Sequence, residues 1–384
     1  MAKVSISRCD SYREELLDAA LEEALSGLGG ISSFIKPGQK VLLKPNLLMS
    51  AGPELAVTTH PLFVKCVAKQ VLRAKAVPFI GDSPGGLPLD MEKVYQKAGY
   101  LETAKELGIE TVNFLSSGTV EVPSPHNKLI PALSISKKAL EFDAIINLPK
   151  LKTHALTRFT GAVKNMFGCV PGFHKSQFHF IAPDPEDFAG LIADVFAATR
   201  PVLNIMDAVT CMEGMGPSAG EIKKVGLVLA SCDGVALDSI ASKIIGFDPF
   251  DVPVTRIAFK NGTGEARLSH IDIFGADISA VSVKFKKPFD LASLLKYVPG
   301  PLYTLAKKLL KKIRIDPVID NGKCSSCRIC EKNCPAACIK ITSGKGGKID
   351  YNRCIMCFCC QELCSYKAIT LKSNFLARAL LRLA

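Results

Sequence analysis

Eight cysteines near one end carry the most specific chemistry in this chain. They read Cys324-x-x-Cys327-x-x-Cys330-x-x-x-Cys334-Pro335, then Cys354-x-x-Cys357-x-x-Cys360-x-x-x-Cys364, the same spacing thirty residues later. A run of this kind holds three corners of a cubane in one loop and sends its fourth thiolate to the other cluster. The spacing therefore assigns Cys324, Cys327, Cys330 and Cys364 to one [4Fe-4S] cluster, and Cys354, Cys357, Cys360 and Cys334 to a second. Paired C-x-x-C also suits zinc, but zinc ribbons use two thiols per loop, and a third at the same spacing is unusual for them. A disulfide framework belongs to an oxidising compartment, for which nothing else here argues. Cys338 and Cys359 are spare: aligning the repeats sets them opposite Ala368 and Ile329, at packing positions. Pro335 has Ser365 as its counterpart, so the second loop lacks its proline.

The cysteine segment resembles the bacterial-type two-cluster ferredoxins, with all eight ligand positions filled. The resemblance implies a small α+β domain over residues 319–373. That domain leaves most of the 384 residues to another fold, and the length predicts two or three domains. Cys9, Cys66, Cys169, Cys211 and Cys232 are scattered without ligand spacing and read as packed thiols. The first residues alternate like a strand and lack the apolar core of a signal peptide. No apolar run is long enough to span a bilayer. The expected location is a reducing cytoplasm, with peripheral attachment to membrane as an extension.

A second set of chemically able residues is spread over the first 280 positions, and the elements that must position it can be read in outline. Strands are expected at Val4–Arg8, Lys40–Lys44, Val77–Gly81, Ile109–Phe114, Ala144–Leu148, Val202–Met206 and Val225–Ala230. Helices are expected at Tyr12–Leu28, Pro61–Ala74, Met91–Leu107, Ala162–Phe167, Asp187–Thr199 and Val235–Ile245. Alternation of this kind predicts the α/β class, a mainly parallel sheet with helices on both faces. The strands are near-continuous apolar runs, as such a doubly covered sheet requires.

Ligands of these sheets bind beyond the carboxyl ends of the strands. Those ends carry Lys44 and Asn46, then Asp82, then Lys150, Lys152 and His154, then Asp207, then Asp233. Lys44, Asn46, Lys150, Lys152, Lys164 and Asn165 are the candidate anion-binding residues, helped by Arg158 and by the amides that open the helix at Ala162. His60 and His154 are candidate proton donors or acceptors, and Asp82 and Asp207 are candidates to orient them or to hold a metal. Each lysine read alone also suits a solvated surface, and each histidine a capping bond; only their grouping argues for a site.

The stretch Asn147-Leu-Pro-Lys-Leu-Lys-Thr-His, continuing to Gly168, resembles the DUF362 family, together with Lys44-Pro45-Asn46, Thr58-Thr59-His60-Pro61 and Gly81-Asp82-Ser83-Pro84-Gly85. The likeness covers about residues 3 to 283 and implies no reaction, since the family is named for its unknown function. A more distant similarity, in strand order and the Thr-His-Pro element, is to the nickel-pincer lactate racemase family. The expected division is 1–283 for the α/β domain, 284–318 for a basic linker, 319–373 for the two-cluster domain and 374–384 for a basic tail.

The net charge of +12 is concentrated. Residues 284–314 hold eight of those twelve charges, and over residues 302–313 leucines take one helix face and lysines the other. Such a helix suits an anionic membrane surface, an acidic redox partner protein, or a linker packed between domains. The basic run lacks interleaved aromatics and matches no reader motif, which argues against nucleic acid. No P-loop or dinucleotide fingerprint is present; Gly214-Met-Gly-Pro-Ser-Ala-Gly220 is one residue too long and carries proline where a helix should open. Flavin, with looser signatures, stays open. The expected function is an iron–sulfur oxidoreductase that passes low-potential electrons to an anion at the α/β edge. The alternatives are a non-enzymatic carrier or maturation factor that docks a partner, and a redox-neutral enzyme with structural clusters.

Overall fold

Apolar residues at successive positions make strands that bury both faces, and this chain lays eight of them in one continuous order. A computed structural model describes residues 1–86, 90–288 and 314–374. The expected amphipathic helix over 302–313 and the tail beyond residue 374 lie outside those residues. The order across the sheet is Ile271–Gly275, Ala2–Arg8, Glu221–Ser231, Leu203–Glu213, Ala144–Leu148, Lys40–Pro45, Val77–Asp82 and Glu110–Asn113. Most neighbours run parallel; Glu221–Ser231 is antiparallel to both of its neighbours. The chain has the α/β fold that its alternation predicts.

Side-chain alternation feeds two apolar layers. Val41, Leu43, Ile146 and Ile205 face the helices Glu14–Ser26 and Pro61–Arg73. Leu42 and Ile145 face the opposite layer, where Pro185–Thr199 contributes Phe188, Leu191 and Ile192. Burying one such side chain is worth about 1.5–3 kcal/mol, so the strand positions are held from both sides.

Two departures from the expected elements matter for the site. Lys150–His154 is a strand rather than a loop, parallel to Leu203–Glu213 and antiparallel to Arg158–Thr160. Its two-residue period sends Lys150, Lys152 and His154 to one face, and Leu151 and Thr153 to the other. Leu203–Glu213 itself runs seven residues beyond the expected Met206, so Asp207 lies within the strand, opposite Lys150, and not after its end. An irregularity between Ala208 and Thr210 lets the long hairpin with Glu221–Ser231 continue past it.

The cysteine-rich part folds as two copies of one loop. Ile315–Ile319 pairs with Ile369–Ser373, and Ile339–Thr342 pairs with Gly346–Ile349. The pairing joins residues 315–318 to this part, although the expected linker ran through 318. Short helices, Ile329–Lys332 and Cys359–Glu362, occupy equivalent places. Non-glycine residues take left-handed backbone at matching positions: Ser326 and Met356, Arg328 and Phe358, Ala337 and Lys367. That conformation is costly for such residues and recurs where a loop is held around a site.

Candidate functional site

Strand alternation and packing between distant segments bring the predicted polar residues together, but as a buried network rather than an open cleft. At one end, the Asp207 carboxylate accepts hydrogen bonds from Lys150 Nζ (2.7 Å), Tyr12 Oη (2.8 Å) and the backbone N–H of His60 (3.0 Å). Lys150 also donates to Tyr12 Oη at 2.6 Å. The His60 ring stacks on Tyr12, 3.7 Å between centroids, and its Nδ1 accepts from Leu62 N at 3.2 Å, capping Pro61–Arg73. Burial lowers His60 to about 4 against the pull of Asp207, so the ring is neutral near pH 7. Asp207 therefore orients the backbone of His60 and not its ring.

A second knot surrounds Asp82. Lys44 Nζ lies 2.8 Å from its carboxylate, and Leu47 N and Ser83 N donate to it at 2.8 Å each. Both side chains are almost fully buried. The pair needs glycine at position 168, where a Cβ would stand 2.0 Å from Asp82 Oδ1 and 2.5 Å from Lys44 Nζ. Next to it Lys175 donates to Ser83 O, Ser83 Oγ and Pro84 O, each at 2.6 Å.

Lys175 makes a pH prediction. Burial depresses its ammonium to about 7, with Asp82 pulling the other way. Between about pH 7 and the ordinary lysine range, the unfolded chain then holds a proton that the folded chain has released. Stability should rise with pH across that window, by an amount on the order of 1–3 kcal/mol. In Lys175→Met the rise should be missing. Urea midpoints at pH 7 and 9.5 measure it; equal slopes in both proteins would refute the depressed lysine.

Between the two knots runs a chain of amides. Lys152 Nζ donates to Asn46 Oδ1 (2.7 Å) and Val57 O (2.5 Å), and Asn46 Nδ2 donates to Asn165 Oδ1 (3.0 Å). Asn165 Nδ2 donates to Asn147 Oδ1 (2.8 Å), and Asn147 Nδ2 to Asn204 Oδ1 (2.8 Å). Asn147 and Asn204 were not among the predicted site residues. Their signal was present: each is a lone amide in an otherwise apolar strand run. Tyr12 and Lys175 had no comparable signal.

Lys152 and Lys164 are the two predicted lysines without a carboxylate of their own in the α/β domain. Burial, with Lys164 nearby, pushes the Lys152 ammonium well below its ordinary value. His154 Nδ1 accepts from Leu156 N (3.1 Å) and Thr157 N (3.4 Å), which assigns its proton to Nε2. Nε2 points across the domain boundary, 3.5 Å from Glu362 Oε1. Burial pushes the Glu362 carboxyl up, and Lys164 and Lys152 oppose that.

Three expectations are corrected. The helix opening at Ala162 offers its amides to no outside anion, because Asp238 takes both Ala162 N (2.5 Å) and Val163 N (3.0 Å). Arg158 leaves the lysine group and faces Asp251 at 3.6 Å. Asp233 caps Gly234–Ile244 and stays out of the site. The cleft itself is closed by the cysteine-rich part, which packs Glu362 and Leu363 against the carboxyl edge. Gly86 is needed there, since a Cβ would meet Asn333 Oδ1 at 2.5 Å. Two cavities flank the contact, about 340 Å³ and 310 Å³, and both touch Met49, Ser50 and Ser365. Serine at 365, in place of the first repeat's proline, thus falls at the boundary between the two parts.

The cysteines surround two separate hollows. Cys324, Cys327, Cys330 and Cys364 line one; Cys334, Cys354, Cys357 and Cys360 line the other, with Cys338 and Cys359 in the same wall. Cys338 Sγ is 3.4 Å from Cys334 Sγ. The backbone N–H groups of Cys338 and Ala368 donate to the sulfurs of Cys334 and Cys364 at 3.4 and 3.3 Å, the same bond in each repeat. Among the described residues, no three His, Cys, Asp or Glu side chains are grouped so as to hold a single metal ion.

Fold and site together define a two-part protein: an α/β domain whose carboxyl edge gathers buried lysines, and a cysteine-rich repeat seated on that edge. The chain belongs to the family described as a domain of unknown function (DUF362), whose model matches residues 41–243. It is 39% identical over 251 residues to a thylakoid-associated protein of Synechocystis sp., covering 65% of this chain and 76% of that one. Over 54 residues it is 39% identical to pyruvate synthase subunit PorD of Methanocaldococcus jannaschii, 14% of this chain and 63% of that subunit. Among solved structures, the lactate racemase apoprotein of Thermoanaerobacterium thermosaccharolyticum aligns with a TM-score of 0.41 at 13% identity, over 64% of this chain and 57% of that one. No helix among the described residues is long and apolar enough to cross a membrane.

Proposed function

We propose that this chain is an iron–sulfur electron-transfer protein, and more specifically an oxidoreductase acting on an anion held at the α/β edge. The observation that carries the proposal is the crossing of the two motifs. Each hollow is lined by three cysteines of one motif and the last cysteine of the other. That crossing suits two [4Fe-4S] clusters, one held by Cys324, Cys327, Cys330 and Cys364, the other by Cys354, Cys357, Cys360 and Cys334. Backbone N–H groups donate to the sulfurs of Cys334 and Cys364, the kind of outer hydrogen bond that tunes cluster ligands. The partial likeness to PorD supports the same reading. When bound, the clusters supply one-electron transfer.

The protein's own residues do the rest. Lys152 and Lys164 offer Nζ–H donors whose protonated forms a bound anion favours, and His154 offers Nε2–H. The amide chain from Asn46 to Asn204 locks Lys152 in place. The cysteine-rich part sits against this edge, where electron delivery needs it. One observation favours the alternative, a carrier that docks a partner: Lys44 and Lys150 already hold Asp82 and Asp207, so only two lysines are left for an anion.

Anaerobically purified protein should contain about eight irons and eight sulfides, as two cubanes need. Zinc in their place would overturn the reading. Lys152→Met and Lys164→Met should each weaken acetate binding roughly ten- to hundredfold, the loss of a charge-assisted hydrogen bond. Calorimetric titration at equal iron content measures it, and unchanged affinity in both variants would favour the carrier.

A further inference from the structure

The two cysteine repeats share a backbone but treat one position differently. Lys332 in the first repeat is exposed to solvent; its counterpart Glu362 in the second is buried, 7% exposed, against the α/β domain. The repeat itself does not require this burial, since the first copy forms the same short helix without it. Glu362 faces what a ligand carboxylate would seek: the Nε2–H of His154, the Lys152 ammonium and the Lys164 ammonium.

Yet it fits poorly. Its Oε1 is buried with no hydrogen bond, and the nearest polar group that an ion-pair distance reaches, among the described residues, is the neutral His154 ring at 3.5 Å. The preceding residue, Gln361, also has a buried Oε1 without a partner. Permanent buried contacts satisfy their polar atoms. Here two successive side chains fail to do so, and Gln361 lines the cavity of about 340 Å³ at the domain boundary.

We propose that Glu362 is a tethered stand-in for a ligand carboxylate. Small carboxylate anions bind the Lys152–Lys164–His154 group by taking its place, and in doing so release the Glu362 side chain while the cysteine-rich part stays on the edge. The proposal rests on reading that group as the anion site. It adds the ligand class, carboxylates, and a built-in competitor that keeps the lysines covered until ligand arrives. A tethered group competes at an effective concentration of about millimolar, so acetate must reach that range to displace it.

The test uses the full chain, prepared anaerobically, with wild type, Glu362→Gln and Lys152→Met at matched iron content. Acetate affinity is measured by calorimetry, and release of Glu362 by hydrogen exchange of the peptide spanning residues 357–366. Glu362→Gln should bind acetate at least tenfold more tightly than wild type. In wild type, acetate should speed exchange in that peptide, a readout that needs no variant to fold. If acetate binds wild type and Glu362→Gln equally and leaves exchange unchanged, the stand-in is refuted while the anion site survives. If acetate binds neither protein, the anion site itself falls.

Discussion

Cys334→Ala protein is expected to carry about half the iron of wild type, and the lost half should belong to the second motif's cluster. By sequence Cys334 belongs to the first motif. In the fold it lines the hollow of Cys354, Cys357 and Cys360. Double variants separate these readings. Cys334→Ala with Cys354→Ala should retain as much iron as either single variant, because both remove ligands of one cluster. Cys334→Ala with Cys324→Ala should lose nearly all of it. Cys338 stands 3.4 Å from Cys334 and is near enough to replace it, so the series is best made in a Cys338→Ala background. That background alone should keep the full count. Iron and sulfide assays with electron paramagnetic resonance of the reduced protein decide it. Equal losses from both pairs would show that the motifs do not cross.

Asp82→Ala should be the most destabilising substitution in the α/β domain. It strips Lys44 of its carboxylate and leaves Leu47 N and Ser83 N without their acceptor. Breaking a buried pair by removing one partner costs about 3–5 kcal/mol, because the remaining charge stays buried. Among the described residues, Lys44 then keeps the Pro45 O bond at 3.1 Å as its one remaining acceptor. Adding Lys44→Met should recover much of the loss, since the stranded charge goes with it. The two orphaned amides should keep the double variant below wild type. Urea unfolding of the three proteins measures both effects. A loss under about 1 kcal/mol for Asp82→Ala would mean that the pair is solvated.

The cysteine pattern needed no tertiary structure to be read. Ligand spacing inside a short loop is local, and the second copy thirty residues on repeats it with the same left-handed residues. The α/β class was equally legible, because alternating apolar runs and amphipathic stretches are local periods. The residues read from the strand ends were brought together by the fold. Lys44, Asn46, Asp82, Lys150, Lys152, His154 and Asn165 all belong to the buried network.

What those residues do to one another was decided only by the fold. The sequence placed Lys150 to His154 in a loop; pairing with Leu203–Glu213 made it a strand and put three cationic or proton-bearing side chains on one face. Lys44 and Lys150 read as open anion ligands, yet each found a carboxylate from another segment, Asp82 and Asp207. Tyr12 meets Asp207 across 195 positions, and Asp238 reaches Ala162 across 76, so no local window holds either contact. Glu362 carried the one readable hint, a charge opposite to that of Lys332 in the matching repeat. Whether that charge faces water or the Lys152–Lys164–His154 group depends on how two separate parts pack. Spacing along a chain determines which side chains can share a loop; burial against distant segments determines which charges are left free to act.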